Sequence, residues 1–165
     1  MNSVEVLERN GPVILGQPHG GIFLPPELSK RLNEHGLTLS DTDWHINRLY
    51  DGLLSTATVV KATFSRYVID ANRDPSGASL YPGQNTTGLC PTTDFEGKTI
   101  YHKGEEPDEA EIEQRKQMYH AAYHAALWEQ IKRIRKMQGI VLLFDCHSIR
   151  SRLCLLYTSP SPRDA

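Results

Sequence analysis

Two adjoining segments constrain the fold of this chain more than any others. Pro107 and a run of acids between Glu106 and Glu113 open a helix, and Arg133, Arg135 and Lys136 close it just before Gly139. Ile112, Tyr119, Tyr123, Leu127, Ile131 and Ile134 recur along it at helical spacing, giving one buried face. The run IVLLF at 140–144 follows at once and is apolar on both faces, which predicts a central parallel strand covered by helices. A long helix feeding such a strand is the unit of an α/β layered domain, and ligands in such domains collect beyond the carboxyl ends of the strands.

The rest of the chain fits that plan. PVILG at 12–16 reads as a buried strand, and QPHGG at 17–21 turns the chain. A short helix is expected over Pro26 to Glu34, stopped by Gly36. A second, capped by Ser40 or Asp41, would bury Trp44, Ile46, Leu49, Tyr50 and Leu53. Ala57 to Phe64 and Tyr67 to Asp70 read as strands. Residues 72–106 hold Pro75, Gly77, Pro82, Gly83, Gly88, Pro91, Gly97 and Gly104, and a loop of that length in a compact domain is usually functional or disordered.

Charge and composition exclude several roles. Eighteen basic against 20 acidic residues leave a net charge of −2, with no positive field for gripping a nucleic acid. The longest apolar run is the one at 140–144, far short of the roughly 20 residues that span a bilayer. The start, MNSVEVLERNG, has no apolar signal core, and three widely spaced cysteines make neither a disulfide framework nor a zinc knuckle. A cytoplasmic protein without nucleic-acid or membrane partners is expected.

Polar residues that could carry chemistry fall just after predicted strands or at a helix start. His19 follows the first strand, Asp70-Ala71-Asn72-Arg73 another, and Asp145-Cys146-His147-Ser148 ends the most apolar one. Two imidazoles and a carboxylate are what a catalytic zinc needs, so His19 and His147 are candidate ligands, with Asp43 as the carboxylate and Asp41 second. Arg73 beside Asn72 either clasps an anionic ligand bidentately or forms a structural ion pair with Asp70 or Asp74. His120 and His124 lie on one helix face, but Ala121 stands where metalloproteases carry Glu, which favours packed or supporting histidines. Cys146 points away from its neighbour His147, which argues against a Cys–His nucleophile. Gly20-Gly21 lacks the spacing and the lysine of a phosphate loop.

Read in order, PHGG (18–21), DTDWHINRLYD (41–51), SRYVIDANR (65–73), TTGLCPTTDFEGKTIY (86–101), YHAAL (123–127) and DCHSIRS (145–151) resemble the N-formylglutamate amidohydrolases, the deformylases of a bacterial histidine-degradation route. The resemblance implies a three-layer α/β/α fold with a mixed sheet, like the zinc carboxypeptidases and aspartoacylases. It implies one Zn2+ on His19, Asp43 and His147, with Asp145 and His124 behind the ligands. Those relatives carry HxxE in the first motif, whereas Ile22 stands at the fourth position here, so the carboxylate must come from elsewhere. Asn72 and Arg73 match the pair that binds the substrate carboxylate, and Arg66 and Arg150 are further candidates for the two carboxylates of N-formyl-L-glutamate. The implied reaction yields formate and L-glutamate, with a glutamate as general base and then acid.

The family places that glutamate in a C-terminal half, which would follow Leu153. Residues 154–165, CLLYTSPSPRDA, resemble a translated sequencing adapter and are set apart as non-native. Residues 1–153 are therefore expected to be the N-terminal part of one amidohydrolase domain, incomplete at the C-terminus, binding zinc weakly and turning over poorly.

Overall fold

The computed structural model describes residues 2–76 and 88–148, so Arg150 and the 154–165 stretch lie outside the described residues. Four strands form one mixed sheet in the order β1-β3-β2-β4. These are β1 (Val4–Leu7), β2 (Val13–Gln17), β3 (Thr58–Ala62) and β4 (Leu142–Asp145). β3 pairs antiparallel with β1 and parallel with β2, and β2 pairs parallel with β4. The helices are α1 (Pro26–Arg31), α2 (Ile46–Leu49), α3 (Glu109–Arg115) and α4 (Ala121–Gln138), with a π turn, Lys116–His120, joining the last two. The architecture is α/β.

The long helix behaves as its sequence requires. Asp108 caps α3 by accepting from the Glu111 N–H at 2.8 Å, which satisfies one of the helix's orphan donors. Gly139 closes α4 at φ 75°, a left-handed conformation that costs glycine little. Between these ends, Tyr123, Leu127 and Ile134 are buried in the main core with Ile14, Val60, Ala62 and Phe64, so α4 lies on one face of the sheet. A smaller cluster of Leu15, Ile46, Ala57 and Cys146 fills the other face, where α2 packs. The period-two alternation of β2 thus sends Ile14 to one layer and Leu15 to the other.

Three expectations need correction. β4 is an edge strand among the described strands, not a central one, and Leu142 (59%) and Phe144 (48%) remain exposed. Apolarity on both faces says nothing about a strand's lateral neighbours, and among the described residues it brings β4 little cover; Phe144 meets the Tyr50 ring. Tyr67 to Asp70 is fully buried yet forms a turn, begun by the Val68 N–H bonding to the Ser65 carbonyl at 2.9 Å. The helix expected beyond Ser40 contracts to α2, and of its stripe only Ile46 is buried, while Trp44, Leu49 and Leu53 are exposed.

Chain order places β2 between two parallel neighbours reached in opposite directions. The chain leaves β2 for β3 on one side, then crosses back through α3 and α4 to β4 on the other. The carboxyl ends of β2 and β4 therefore flank a topological switch point, where a crevice opens in such sheets. The Gly20-Gly21 turn that follows β2 is forced by packing. A Cβ on Gly21 would meet the Thr63 backbone and lie 2.5 Å from the Phe64 carbonyl oxygen and 2.6 Å from that of Ala62. Gly21→Ala is expected to lower folding stability by about 1–3 kcal/mol. An unchanged urea midpoint would show instead that the backbone yields freely there.

Candidate metal centre

The crevice gathers side chains from three parts of the sequence. His19 lies two residues past β2, His147 two residues past β4, and Asp43 in the turn before α2. The Asp43 N–H donates to the His19 carbonyl at 3.0 Å, which fixes these two backbones together. His45, at φ 65°, bends the chain into α2 just after Asp43. His19 and Asp43 are buried, while the His147 side chain is 35% exposed, so the cluster opens to solvent on one side.

The donor atoms converge. The Nδ1 atoms of His19 and His147 are 3.3 Å apart, and Asp43 Oδ2 lies 3.2 Å from the His147 Nδ1 and 3.7 Å from that of His19. Three ligands at zinc distances in a tetrahedron are roughly 3.3 Å from one another. Among the described residues, His19, Asp43 and His147 form the group of ligating side chains close enough to share one ion. His19 turns its other nitrogen to Asp70 Oδ1 at 2.7 Å; a carboxylate only accepts there, so Nε2 carries the proton and Nδ1 keeps its lone pair. Two imidazole lone pairs and a carboxylate suit a divalent cation of zinc's kind.

Asp70 anchors the arrangement from behind. It is buried, accepts from the Arg66 guanidinium at 2.6 Å and from the Asn72 N–H at 2.9 Å, and so ties the 66–72 stretch to His19. Burial pushes its carboxyl up, but His19 and Arg66 outweigh that and hold it below the usual carboxylate range. The same balance operates at Asp43, where burial raises the carboxyl and the two imidazoles bring it lower still. The Asn72 side-chain nitrogen lies 3.2 Å from His147 Nε2. Nitrogen and oxygen of an amide are interchangeable by a flip, and the flipped form accepts Nε2–H and frees Nδ1. Ser148 Oγ donates to Asp43 Oδ1 at 3.3 Å.

The other sequence candidates fall as follows. Arg73 is partly exposed, with its Nε 3.7 Å from Asp70 Oδ2, beyond a hydrogen bond. Arg66 is buried, bonded to Asp70 and to the Asp41 carbonyl and stacked on Phe95, so it braces Asp70. Asp41 accepts from the Phe95 N–H and stands outside the trio. Asp145 lines a neighbouring cavity of about 300 Å³ with Tyr123, His124 and Leu143. His124 bonds to the Ala71 carbonyl at 2.8 Å. Cys146 is fully buried, and burial, helped by Asp145, pushes its thiol up to about 11, which leaves it no nucleophile. Asp70 and His120 are the residues sequence reasoning underrated. Their signal was present: Asp70 stands directly before Ala71-Asn72-Arg73, and His120 is the first of the HxxxH pair.

Comparison with known proteins adds to this geometry. A family model described as N-formylglutamate amidohydrolase matches residues 11–163. An N-formylglutamate deformylase of Pseudomonas putida is 39% identical over 152 residues, which is 92% of this chain and 57% of that protein. One from Pseudomonas aeruginosa is 38% identical over the same shares. The crystal structure of an N-formylglutamate amidohydrolase from Ralstonia eutropha JMP134 superposes with a TM-score of 0.71 at 23% identity, covering 90% of this chain and 59% of that one. A gene product of Agrobacterium tumefaciens gives 0.69 at 26% identity, over 90% and 57%. This chain thus spans little more than half the length of the curated relatives it matches.

Proposed function

The chain belongs to the N-formylglutamate amidohydrolase family, and on that premise we propose that it is built to hydrolyse N-formyl-L-glutamate to formate and L-glutamate with one zinc ion on His19, Asp43 and His147. The observation that carries the reading is the convergence of those three donors at the switch point of the sheet. When bound, zinc supplies Lewis acidity that polarises the formyl carbonyl and makes water nucleophilic near neutral pH.

The chain's own residues do the rest. His19 and His147 present neutral imidazole nitrogens, and Asp70 keeps His19 in the required tautomer. Arg73 and Asn72, on the exposed side of the crevice, take a substrate carboxylate through a planar fork and a neutral donor. Water oxygen adds to the formyl carbon, the C–N bond breaks, and the departing α-nitrogen takes a proton. That proton is assigned to a glutamate, as the family resemblance implies. The layered fold around one edge-bound ion follows the zinc-carboxypeptidase and aspartoacylase plan. The reaction would close a histidine-degradation route in the cytoplasm.

Calorimetric titration of the metal-free chain with zinc, then with N-formyl-L-glutamate, tests this. One zinc per chain and tighter binding of N-formyl-L-glutamate than of N-acetyl-L-glutamate are expected, with slow formate release on long incubation. Absence of zinc uptake overturns the reading. Arg73→Ala should weaken N-formyl-L-glutamate binding by about 10- to 100-fold, the loss of a charge-assisted carboxylate contact, with zinc still bound. Lost zinc with unchanged substrate affinity would assign Arg73 to structure.

A further inference from the structure

The HxxxH pair of the long helix takes no part in the ligand trio, yet both of its rings bond to the backbone beside Asn72. His120 is the last residue of the π turn and is buried; His124 lies one turn on, at the start of α4. Their Nε2 atoms lie 2.9 Å from the Arg73 carbonyl and 2.8 Å from the Ala71 carbonyl, on either side of Asn72. A carbonyl can only accept, so chemistry alone fixes both rings as Nε2–H donors. The ring centroids are 4.3 Å apart, and the Tyr123 ring packs edge-on against His124 at 5.6 Å. Burial draws His120 below its ordinary pKa, while its bond to the Arg73 carbonyl works the other way.

We propose that His120 and His124 form a two-histidine clamp that positions Asn72 and Arg73 for the substrate carboxylate. The Asp70–Arg73 segment is held at its first residue by Arg66 and His19 through Asp70. The clamp holds the residues on both sides of Asn72, so the backbone under two exposed or half-exposed side chains is fixed before a ligand arrives. Preorganisation of this kind removes the ordering cost a loose arginine would incur on binding. His120 and His124 are positioning residues, acting through Arg73. Without the clamp, affinity for a carboxylate ligand falls by about tenfold.

The proposal rests on the substrate reading above, and its test separates the two. In the zinc-loaded full chain, His120→Leu and His124→Leu remove the donors, whereas His120→Gln and His124→Gln keep an N–H at similar reach. Calorimetry with N-formyl-L-glutamate should show about tenfold weaker binding for the leucine variants and recovery for the glutamine variants, with one zinc still bound per chain throughout. In an Arg73→Ala background the leucine substitutions should cost much less than tenfold, since coupled residues are non-additive; additive losses overturn the proposal. If the wild-type chain takes zinc but not N-formyl-L-glutamate, the substrate reading fails, and the clamp is judged by magnetic resonance. Ring 15N shifts should then show Nε2–H tautomers at both histidines. The Asn72 and Arg73 amides should exchange at least tenfold faster in the leucine variants. A Nδ1–H tautomer in the wild type, or unchanged exchange, overturns the clamp, and the wild-type tautomer decides even if the leucine variants fail to fold.

Discussion

Asp70→Ala is expected to lower folding stability by about 3–5 kcal/mol and to weaken zinc binding by about 10- to 100-fold. The stability loss comes from Arg66, which is buried and would be left as an uncompensated charge beneath Phe95. Phe95 can face a cation, but it cannot replace a carboxylate at 2.6 Å. The zinc loss comes from His19, whose Nε2 would have no fixed acceptor and whose Nδ1 would no longer be held with its lone pair toward the site. Urea unfolding measures the first effect and competition with a chelator the second. Asp70→Asn keeps an acceptor for the Asn72 N–H and should fold where the alanine variant does not, so its zinc affinity can still be read. Native stability and zinc affinity in both variants would remove Asp70 from its place as the anchor.

His147→Ala is expected to weaken zinc binding on the order of 1,000-fold while leaving the fold nearly intact. The side chain is partly exposed, so its truncation opens no cavity in the core. Its Nδ1 is nevertheless within 3.3 Å of both other donor atoms, and no described residue stands ready to replace it. Asn72→Ala removes the support of His147 Nε2 but no ligand, and should cost about tenfold in zinc affinity. The ordering of these two losses distinguishes a ligand from its support. Equal, small losses would place the ion elsewhere.

The parts of the fold that could be read in the sequence are those where local chemistry decides the structure. Acids at the front and bases at the back of the long helix, with Gly139 behind it, fixed its ends because capping and the helix dipole act within a turn. PVILG could be read as a buried strand and IVLLF as a parallel one because short apolar runs bounded by turn residues mark strands, and the two pair in parallel. What escaped was set by partners far away in the chain. Tyr67 to Asp70 has strand-like residues, yet the Asp70 N–H bonds to the Leu89 carbonyl and the segment turns. Trp44, Leu49 and Leu53 have helical spacing but meet no opposing surface among the described residues, so the pattern produced a single helical turn. His19, Asp43 and His147 were legible because each stands beside a strand end or helix start; Asp70 was read only as a possible ion-pair partner of Arg73, 3.7 Å away, because only tertiary packing brings His19 to it.

The parallel pairing of β2 with β4 has a kinetic consequence. The two imidazoles of the centre are separated by 128 positions in the chain, and their approach requires closure of that whole span. Loop-closure entropy grows with length, and non-local parallel pairing is slow to form. The crossover through the long helix must therefore dock before the second imidazole arrives. In a refolding experiment, recovery of metal affinity should trail the return of helical signal, making the centre a reporter of the last strand to join rather than a seed around which the sheet gathers.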